Sequence, residues 1–135
     1  MKKISSLLST ALLLFNALGA QAEDALSPQQ AATLAAEHKA IIIDVREDDE
    51  WQAQHIDGAI HLPLGQLSTR LKELEPYKNT TIIAQCRSGR RSAQAVDLLK
   101  NAGFPQVYNM DGGLQAWEKV GLAMNKKHCT SKSNC

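Results

Sequence analysis

Seven consecutive residues could carry out chemistry in this chain: Cys86, Arg87, Ser88, Gly89, Arg90, Arg91 and Ser92. They follow a β-rich run at 80–85 and precede a helical pattern, so the cysteine stands where a strand turns into a helix. Backbone N–H groups converge at such a turn and bind anions, helped by the positive end of the helix dipole. Positive surroundings lower a thiol pKa from about 8.5 into a range of about 3.5–7.5. The stretch therefore predicts a nucleophilic cysteine that meets a small anionic substrate.

Each residue of this loop has an expected role. Cys86 is the predicted catalytic residue, because an inert buried thiol does not explain three neighbouring arginines. The other six residues are predicted to bind substrate, with the guanidinium groups of Arg87, Arg90 and Arg91 as forked donors to an oxyanion. Gly89 permits a backbone conformation with positive φ. Ser92 is expected to cap the following helix, although its hydroxyl could also reach the substrate.

The elements that must position this loop alternate between helical and β-rich patterns. Ser27 and Pro28 open a first helix, 40–45 is a continuous β-branched strand, and an acidic run at 47–50 starts a short helix. Leucines 67, 71 and 74 have helical spacing. A strand at 80–85, a helix at 92–102, a strand at 107–109 and a closing helix after the glycines at 112 and 113 complete the order. This alternation predicts an α/β fold with a short, mainly parallel sheet flanked by helices on both faces. Cys86 then lies at the carboxyl ends of the strands, where such folds bind ligands.

Two further polar residues follow the first predicted strand. Asp44 and Arg46 are interpreted as structural support, an ion pair that steadies the sheet edge, because a free carboxylate near Cys86 would oppose thiolate formation. His55 and His61 are interpreted as turn and packing residues, since an activated cysteine needs no general base.

The N-terminal residues have the pattern of a cleavable signal peptide, 1–22. Lys2 and Lys3 precede an apolar stretch, and the small residues Ala20 and Ala22 flank the expected cleavage site. We therefore expect export to the periplasm, a single domain over 23–121 and a polar C-terminal tail over 122–135. Cleavage removes both lysines and turns the net charge of +1 into −1. A nearly neutral chain gives no electrostatic reason to bind nucleic acid or, after cleavage, a membrane.

The chain has three cysteines, an odd number for an exported protein. A disulfide between Cys129 and Cys135 in the tail would leave Cys86 free, and we favour this pairing. The alternative is that one tail cysteine acts as a resolving thiol for Cys86. A metal site using His128 and these two cysteines is not expected, because closed zinc sites need four ligands. No cofactor is predicted.

Several of these motifs, in this order, resemble the single-domain rhodaneses, and in particular periplasmic rhodaneses of the phage-shock type. The matching stretches are 43–46, 55–60, 62–63, the loop 86–92, and the glycines 112 and 113 leading to Trp117. The resemblance implies a thiosulfate sulfurtransferase that carries sulfur as a persulfide on Cys86. It implies thiosulfate or polysulfide as donor and cyanide or a thiol as acceptor. A small domain of this kind is expected to be monomeric.

Two other functions compete with this interpretation. Cysteine phosphatases need an arginine six positions after the cysteine, where this chain has Ser92, and the arginine comes one residue early at Arg91. A periplasmic sulfur carrier or redox-binding module that passes sulfur from Cys86 to a protein partner would use the same loop. The sequence does not separate that second possibility from an enzyme that acts on small molecules.

Overall fold

The computed structural model describes residues 24–127. The predicted signal peptide and the tail residues His128, Cys129 and Cys135 lie outside this range, so the expected cleavage and the expected disulfide stay predictions. The helices are α1 (Pro28–Ala36), α2 (Asp48–Ala53), α3 (Leu64–Leu67), α4 (Arg90–Asn101) and α5 (Gly113–Lys119), with a 3₁₀ helix at Leu71–Tyr77. The strands are β1 (Ala25–Leu26), β2 (Ala40–Asp44), β3 (Gln54–His55), β4 (Ile60–His61), β5 (Thr81–Gln85), β6 (Val107–Met110) and β7 (Asn125–Lys126).

Five of these strands form one sheet in the order β1-β6-β5-β2-β4, and every neighbouring pair is parallel. β2 and β5 lie side by side at its centre, with Asp44 opposite Gln85. After β2 the chain adds β4 on one side of this central pair, and after β5 it adds β6 on the opposite side. This change of direction opens a crevice at the carboxyl ends of the two strands, which is where ligands bind in open α/β sheets. The α/β fold expected from the sequence is confirmed.

The core is divided between the two faces of the sheet. On one face Ile82, Ala84 and Cys86 pack beneath the apolar side of α4, and on the other Ile42 and Ile83 pack against residues of α1 and α5. The strands are apolar on both sides because helices cover both sides. Cys86 is therefore held from below by the core as well as from above by its loop.

Several local predictions need correction. Leucines 67 and 71 do not share a helix: α3 ends at Leu67, and a 3₁₀ helix containing Pro76 begins at Leu71. Proline has no N–H to donate and obstructs a longer α-helix. The described part of the predicted polar tail, residues 122–127, packs on the domain, since β7 pairs antiparallel with β3. In the part of the chain that the structure describes, no helix is long and apolar enough to cross a membrane.

Candidate active site

Cys86 follows β5 directly, and its residue is only 1% exposed. The turn from strand to helix takes four residues, 86–89, and α4 begins at Arg90 with Gly89 as its N-cap. Gly89 has a φ of +101°, a left-handed conformation that favours glycine. This sharp turn folds the start of α4 back over the cysteine.

Hydrogen bonds to the Cys86 sulfur come from the start of α4. The Gly89 N–H donates to Sγ over 3.1 Å, and the Ser92 Oγ lies 3.4 Å from Sγ. Burial raises the pKa of the Cys86 thiol, but the Ser92 hydroxyl and the backbone N–H groups of Ser92, Ser88 and Gly89 together outweigh it, so the net pKa falls below its ordinary value. The sequence predicts a lowered pKa from nearby positive charge, which includes the helix start as well as the arginines. In the structure, hydrogen bonds to the sulfur are the cause of the lowering.

The first turn of α5 fixes the cysteine loop from the outside. The N–H of Leu114 donates to the Cys86 carbonyl over 2.8 Å, and the N–H of Gln115 donates to the Arg87 carbonyl over 3.1 Å. Gly113, with a φ of +58°, sits so close that a Cβ there would be 2.6 Å from the Arg87 carbonyl carbon. The otherwise unpaired N–H groups of α5 are thus used to hold the loop.

The three loop arginines differ in what they contact. Arg87 is exposed and, with Arg46, lines a cavity of about 370 Å³ beside the loop. Arg90 is exposed on the first turn of α4. Arg91 directs its guanidinium to Glu50 of α2, with nitrogen–oxygen distances of 2.7 and 2.9 Å. Two donors of the Arg91 guanidinium are thus occupied by Glu50, and the prediction that Arg91 binds substrate stays a prediction.

The Glu50 carboxylate is strongly influenced by this pairing. The hydrogen bonds from Arg91 lower the pKa of Glu50 to about 2, and the Glu47 N–H contributes in the same direction against the opposing effect of burial. Glu50 in turn raises the pKa of the Arg91 guanidinium. The acidic run does lie at the start of α2, as expected, but one of its members also ties α2 to α4.

Asp44 and Arg46 form a buried ion pair at the end of β2. The Arg46 Nη2 lies 2.7 Å from Oδ2 of Asp44, its Nε lies 3.0 Å from Oδ1, and both side chains are at most 4% exposed. Arg46 Nη2 also donates to the Gln54 carbonyl over 2.8 Å. The pair therefore connects the end of β2 to the chain that follows α2.

These features agree with what the chain is similar to. The family description "Rhodanese-like domain" matches residues 27–120. The chain belongs to the rhodanese family. Thiosulfate sulfurtransferase PspE of Escherichia coli is 40% identical over 78 residues, covering 58% of this chain and 72% of PspE. A thiosulfate sulfurtransferase of Pseudomonas aeruginosa superposes with a TM-score of 0.70 at 30% identity, over 78% of this chain and 20% of that one.

A further relative of this rhodanese domain is YrkF of Bacillus subtilis, named as a candidate sulfur carrier protein. It is 42% identical over 76 residues, which cover 56% of this chain and 40% of YrkF. The chain spans 40% of YrkF and 53% of another relative, from Synechocystis, so it corresponds to about half the length of such relatives. Sulfurtransferases and a sulfur carrier candidate thus occur among the relatives of this domain.

Ser92 of the rhodanese loop does not cap α4, contrary to the prediction. It lies within the first turn of α4 and is fully buried, whereas the N-cap is Gly89. Its Oγ lies 2.6 Å from Oδ1 of Asn109 in β6, and Nδ2 of Asn109 donates to the Gly89 carbonyl over 3.0 Å. Asn109 is a site residue that the sequence reasoning missed. The available signal was an asparagine, a residue depleted in strands, in the last strand of the sheet.

The histidines near this rhodanese site pack rather than face the sulfur. The Trp51 ring stacks with both His55 and His61, at ring-centroid distances of 3.8 and 4.8 Å. His61 Nε2 is hydrogen-bonded to the Arg46 carbonyl over 2.9 Å. Within residues 24–127 no cluster of three or more histidine, cysteine or acidic residues is arranged to hold a metal ion.

Proposed function

We propose that this rhodanese is a sulfurtransferase that moves a sulfane sulfur from thiosulfate, or a polysulfide, to cyanide or a thiol through a persulfide on Cys86. The observation that carries the proposal is the Gly89 N–H donating to the Cys86 sulfur over 3.1 Å, at a site where hydrogen bonds lower the thiol pKa. A thiolate is the nucleophilic form of cysteine. The 40% identity to the sulfurtransferase PspE supports the same reaction class.

The reaction consists of two sulfur transfers. In the first, the Cys86 thiolate attacks the outer sulfur of thiosulfate, a new sulfur–sulfur bond forms, and the old one breaks with its electron pair leaving on sulfite. In the second, cyanide attacks the outer sulfur of the persulfide, leaves as thiocyanate and returns Cys86 to the thiolate. Each step releases a product before the next substrate reacts, so ping-pong kinetics are expected.

The charges around the loop fit an anionic donor and an anionic leaving group. Arg87 and Arg90 are exposed close to Cys86 in the chain, and Arg87 lines the adjacent cavity. The other charged groups of that cavity are Arg46, which is paired with Asp44, and the carboxylates of Glu50 and Glu118. The backbone N–H groups at the start of α4 face the sulfur and stabilise negative charge there without moving. Because Arg91 is engaged with Glu50, we assign the attraction of thiosulfate to Arg87 and Arg90.

The deciding experiment is intact mass spectrometry under non-reducing conditions, before and after thiosulfate and then after cyanide. We expect a gain of one sulfur atom that cyanide removes and that Cys86→Ser does not show. Cys86→Ser should abolish transfer while retaining the fold. An unchanged wild-type mass would exclude thiosulfate as donor, and substantial activity in Cys86→Ser would overturn the mechanism. The same starting mass reports whether Cys129 and Cys135 are paired.

A second candidate function is sulfur carriage to a protein partner. It is favoured by the 42% identity to YrkF, whose name describes a candidate carrier. Both functions load Cys86 in the same way and differ in the acceptor. Rapid turnover with cyanide or a small thiol favours the enzyme, whereas a stable persulfide that these acceptors discharge slowly favours the carrier.

We also propose that the protein is exported to the periplasm after cleavage behind Ala22 and acts there as a monomer. The sequence pattern of residues 1–22 supports export. Cell fractionation with N-terminal sequencing tests this, and a mature chain that begins at Glu23 in the periplasmic fraction is the expected result. An intact N-terminus in the cytoplasm would contradict it. Size-exclusion chromatography with light scattering tests the monomer.

A further inference from the structure

We propose that Asn109 is a positioning residue, which competes with the Cys86 sulfur for the single hydroxyl proton of Ser92 and thereby controls how readily Cys86 acts as a nucleophile. The inference rests on the proposed role of Cys86 and extends it to a residue on another strand. It follows from three hydrogen-bond distances in the corner between α4 and β6.

The orientation of the Asn109 amide is fixed by its neighbours. Nδ2 lies 3.0 Å from the Gly89 carbonyl oxygen, which only accepts hydrogen bonds, so the NH₂ group must face that carbonyl. Oδ1 then faces Ser92 and lies 2.6 Å from its Oγ. Because Oδ1 carries no hydrogen, the Ser92 hydroxyl must be the donor in this short contact.

Ser92 therefore has one proton and two acceptors. Its Oγ is 2.6 Å from Asn109 Oδ1 and 3.4 Å from Cys86 Sγ, and the residue is fully buried. While Cys86 is a thiol, its S–H can donate to Oγ and the hydroxyl can donate to Asn109, so all three groups are satisfied. A thiolate only accepts, and the hydroxyl must then turn from Asn109 to the sulfur.

This exchange couples the ionisation of Cys86 to Asn109. Turning the hydroxyl to the thiolate stabilises its charge but leaves Oδ1 of Asn109 facing an oxygen lone pair at short range. Asn109 thus favours the thiol form, and Ser92 favours the thiolate. In the persulfide the negative charge moves to the outer sulfur, and the Ser92 proton can return to Asn109.

Charged groups around this corner come from two helices and the loop itself. Arg91 on α4 interacts electrostatically with Cys86 and is paired with Glu50 on α2. Arg90 also lies on α4, and Arg87 follows Cys86 in the loop. Glu50, with a pKa of about 2, stays ionised across the pH range in which a thiol titrates. The variants below leave all of these groups in place.

The test measures the rate at which iodoacetamide alkylates Cys86 as a function of pH, read from the Cys86 peptide by mass spectrometry so that the tail cysteines do not contribute. In Asn109→Ala the Cys86 pKa should fall, and the alkylation rate below the wild-type pKa should rise about three- to tenfold, the equivalent of one modest hydrogen bond. In Ser92→Ala the pKa should rise. Asn101→Ala, an exposed asparagine at the end of α4, is the matched control and should leave the profile unchanged.

The double variant Ser92→Ala/Asn109→Ala separates this mechanism from a general loosening of the loop. Without the Ser92 hydroxyl, removing Asn109 should cause no further change in the pKa. A pKa that is unchanged or raised in Asn109→Ala, or a fall of equal size in the Ser92→Ala background, would overturn the proposal. If Asn109→Ala does not fold, Asn109→Asp retains the acceptor and should raise the pKa, and a fall there would contradict the proposal. These readouts do not use sulfur transfer, so a failure of the proposed function remains distinguishable.

Discussion

Two neighbouring strand-to-helix junctions, β2–α2 and β5–α4, are built alike but are completed in opposite ways. Their strands pair in register, with Asp44 opposite Gln85 at the carboxyl ends. At the first junction Asp44 binds Arg46 within the same segment. At the second, the Gln85 side chain is buried with neither polar atom hydrogen-bonded to another described residue. The first junction thus pairs its own buried polar groups, whereas the second does not pair its buried Gln85 amide with any described residue.

The helix starts show the same difference. The first turn of α2 contains Asp48, Asp49 and Glu50, and Glu50 accepts a hydrogen bond from the Glu47 N–H. Carboxylates at this position are favourable for a helix. The start of α4 has no acidic residue and no side-chain cap, and two arginines occupy its first turn. Its N–H groups face the Cys86 sulfur instead.

The comparison indicates that the helix start beside Cys86 is locally less stable than the start of α2. A helix start with arginines and no side-chain cap is unfavourable by itself, and such departures are expected at functional sites. The departure is compensated from elsewhere in the molecule: Glu50 of α2 neutralises Arg91, and the first turn of α5 holds the loop carbonyls. The following variants test each half of this comparison.

The largest effect on the free energy of unfolding is expected at the β2–α2 junction. Asp44→Ala removes the partner of a buried guanidinium and should cost about 3–5 kcal/mol of unfolding free energy, because an unpaired buried charge is strongly destabilising. Urea denaturation measures this cost. Asp44→Ala/Arg46→Met removes both charges and should regain much of the loss. A single-variant cost below about 1 kcal/mol would mean that the pair does not stabilise the fold.

Gly113→Ala disturbs the contact between α5 and the Cys86 loop at the β5–α4 junction. Its Cβ would lie 2.6 Å from the Arg87 carbonyl carbon, and its φ of +58° adds strain, so we expect a cost of about 3 kcal/mol and a displaced Cys86 loop. Gly58→Ala is the matched control, since Gly58 also has a positive φ, +77°, but a Cβ added there would have no atom within 4 Å. It should cost about 1 kcal/mol, and equal costs for the two variants would show that contact with the loop is unimportant.

Glu50→Gln tests the ion pair between Glu50 of α2 and Arg91 of α4, and its effect on stability should depend on pH. The pKa of Glu50 is about 2 in the folded protein against an ordinary 4.5. A carboxyl with a lowered folded pKa stabilises the fold above pH 4.5 and loses this contribution as the pH falls towards 2. The variant should therefore be about 1 kcal/mol less stable at neutral pH, a value discounted for partial exposure.

Unfolding by urea at several pH values checks this dependence. The difference between wild type and Glu50→Gln should be constant at neutral pH and shrink progressively between pH 4.5 and about 2. Glu37→Gln is a suitable control, since Glu37 pairs only with the exposed Lys39 among the described residues. A Glu50→Gln difference that is independent of pH would show that the carboxylate charge is not what holds Arg91.

The sequence was most informative where a pattern is local. Ser27 and Pro28 marked the start of α1, the β-branched run marked β2, and the turn after β5 located Cys86. What it missed depends on contacts between distant segments. The strand β1 has two residues and exists because β6 pairs with it, the Glu50–Arg91 bridge joins α2 to α4, and Asn109 reaches Ser92 from another strand. None of these pairings leaves a periodic signal in the chain.

The smallest expected effect comes from making the start of α4 resemble that of α2. Arg90→Glu places a carboxylate in a first turn that has none, and the helix dipole should stabilise the fold by about 0.3–1 kcal/mol. The same change removes an exposed positive charge beside Cys86, so the KM for thiosulfate should increase. Gln94→Glu, an exposed position one turn further along α4, is the control and should alter both quantities less. A less stable Arg90→Glu would mean that the arginines at this helix start are not a cost to the fold. A more stable variant with a higher KM would show that stability at this junction is exchanged for attraction of the anionic donor.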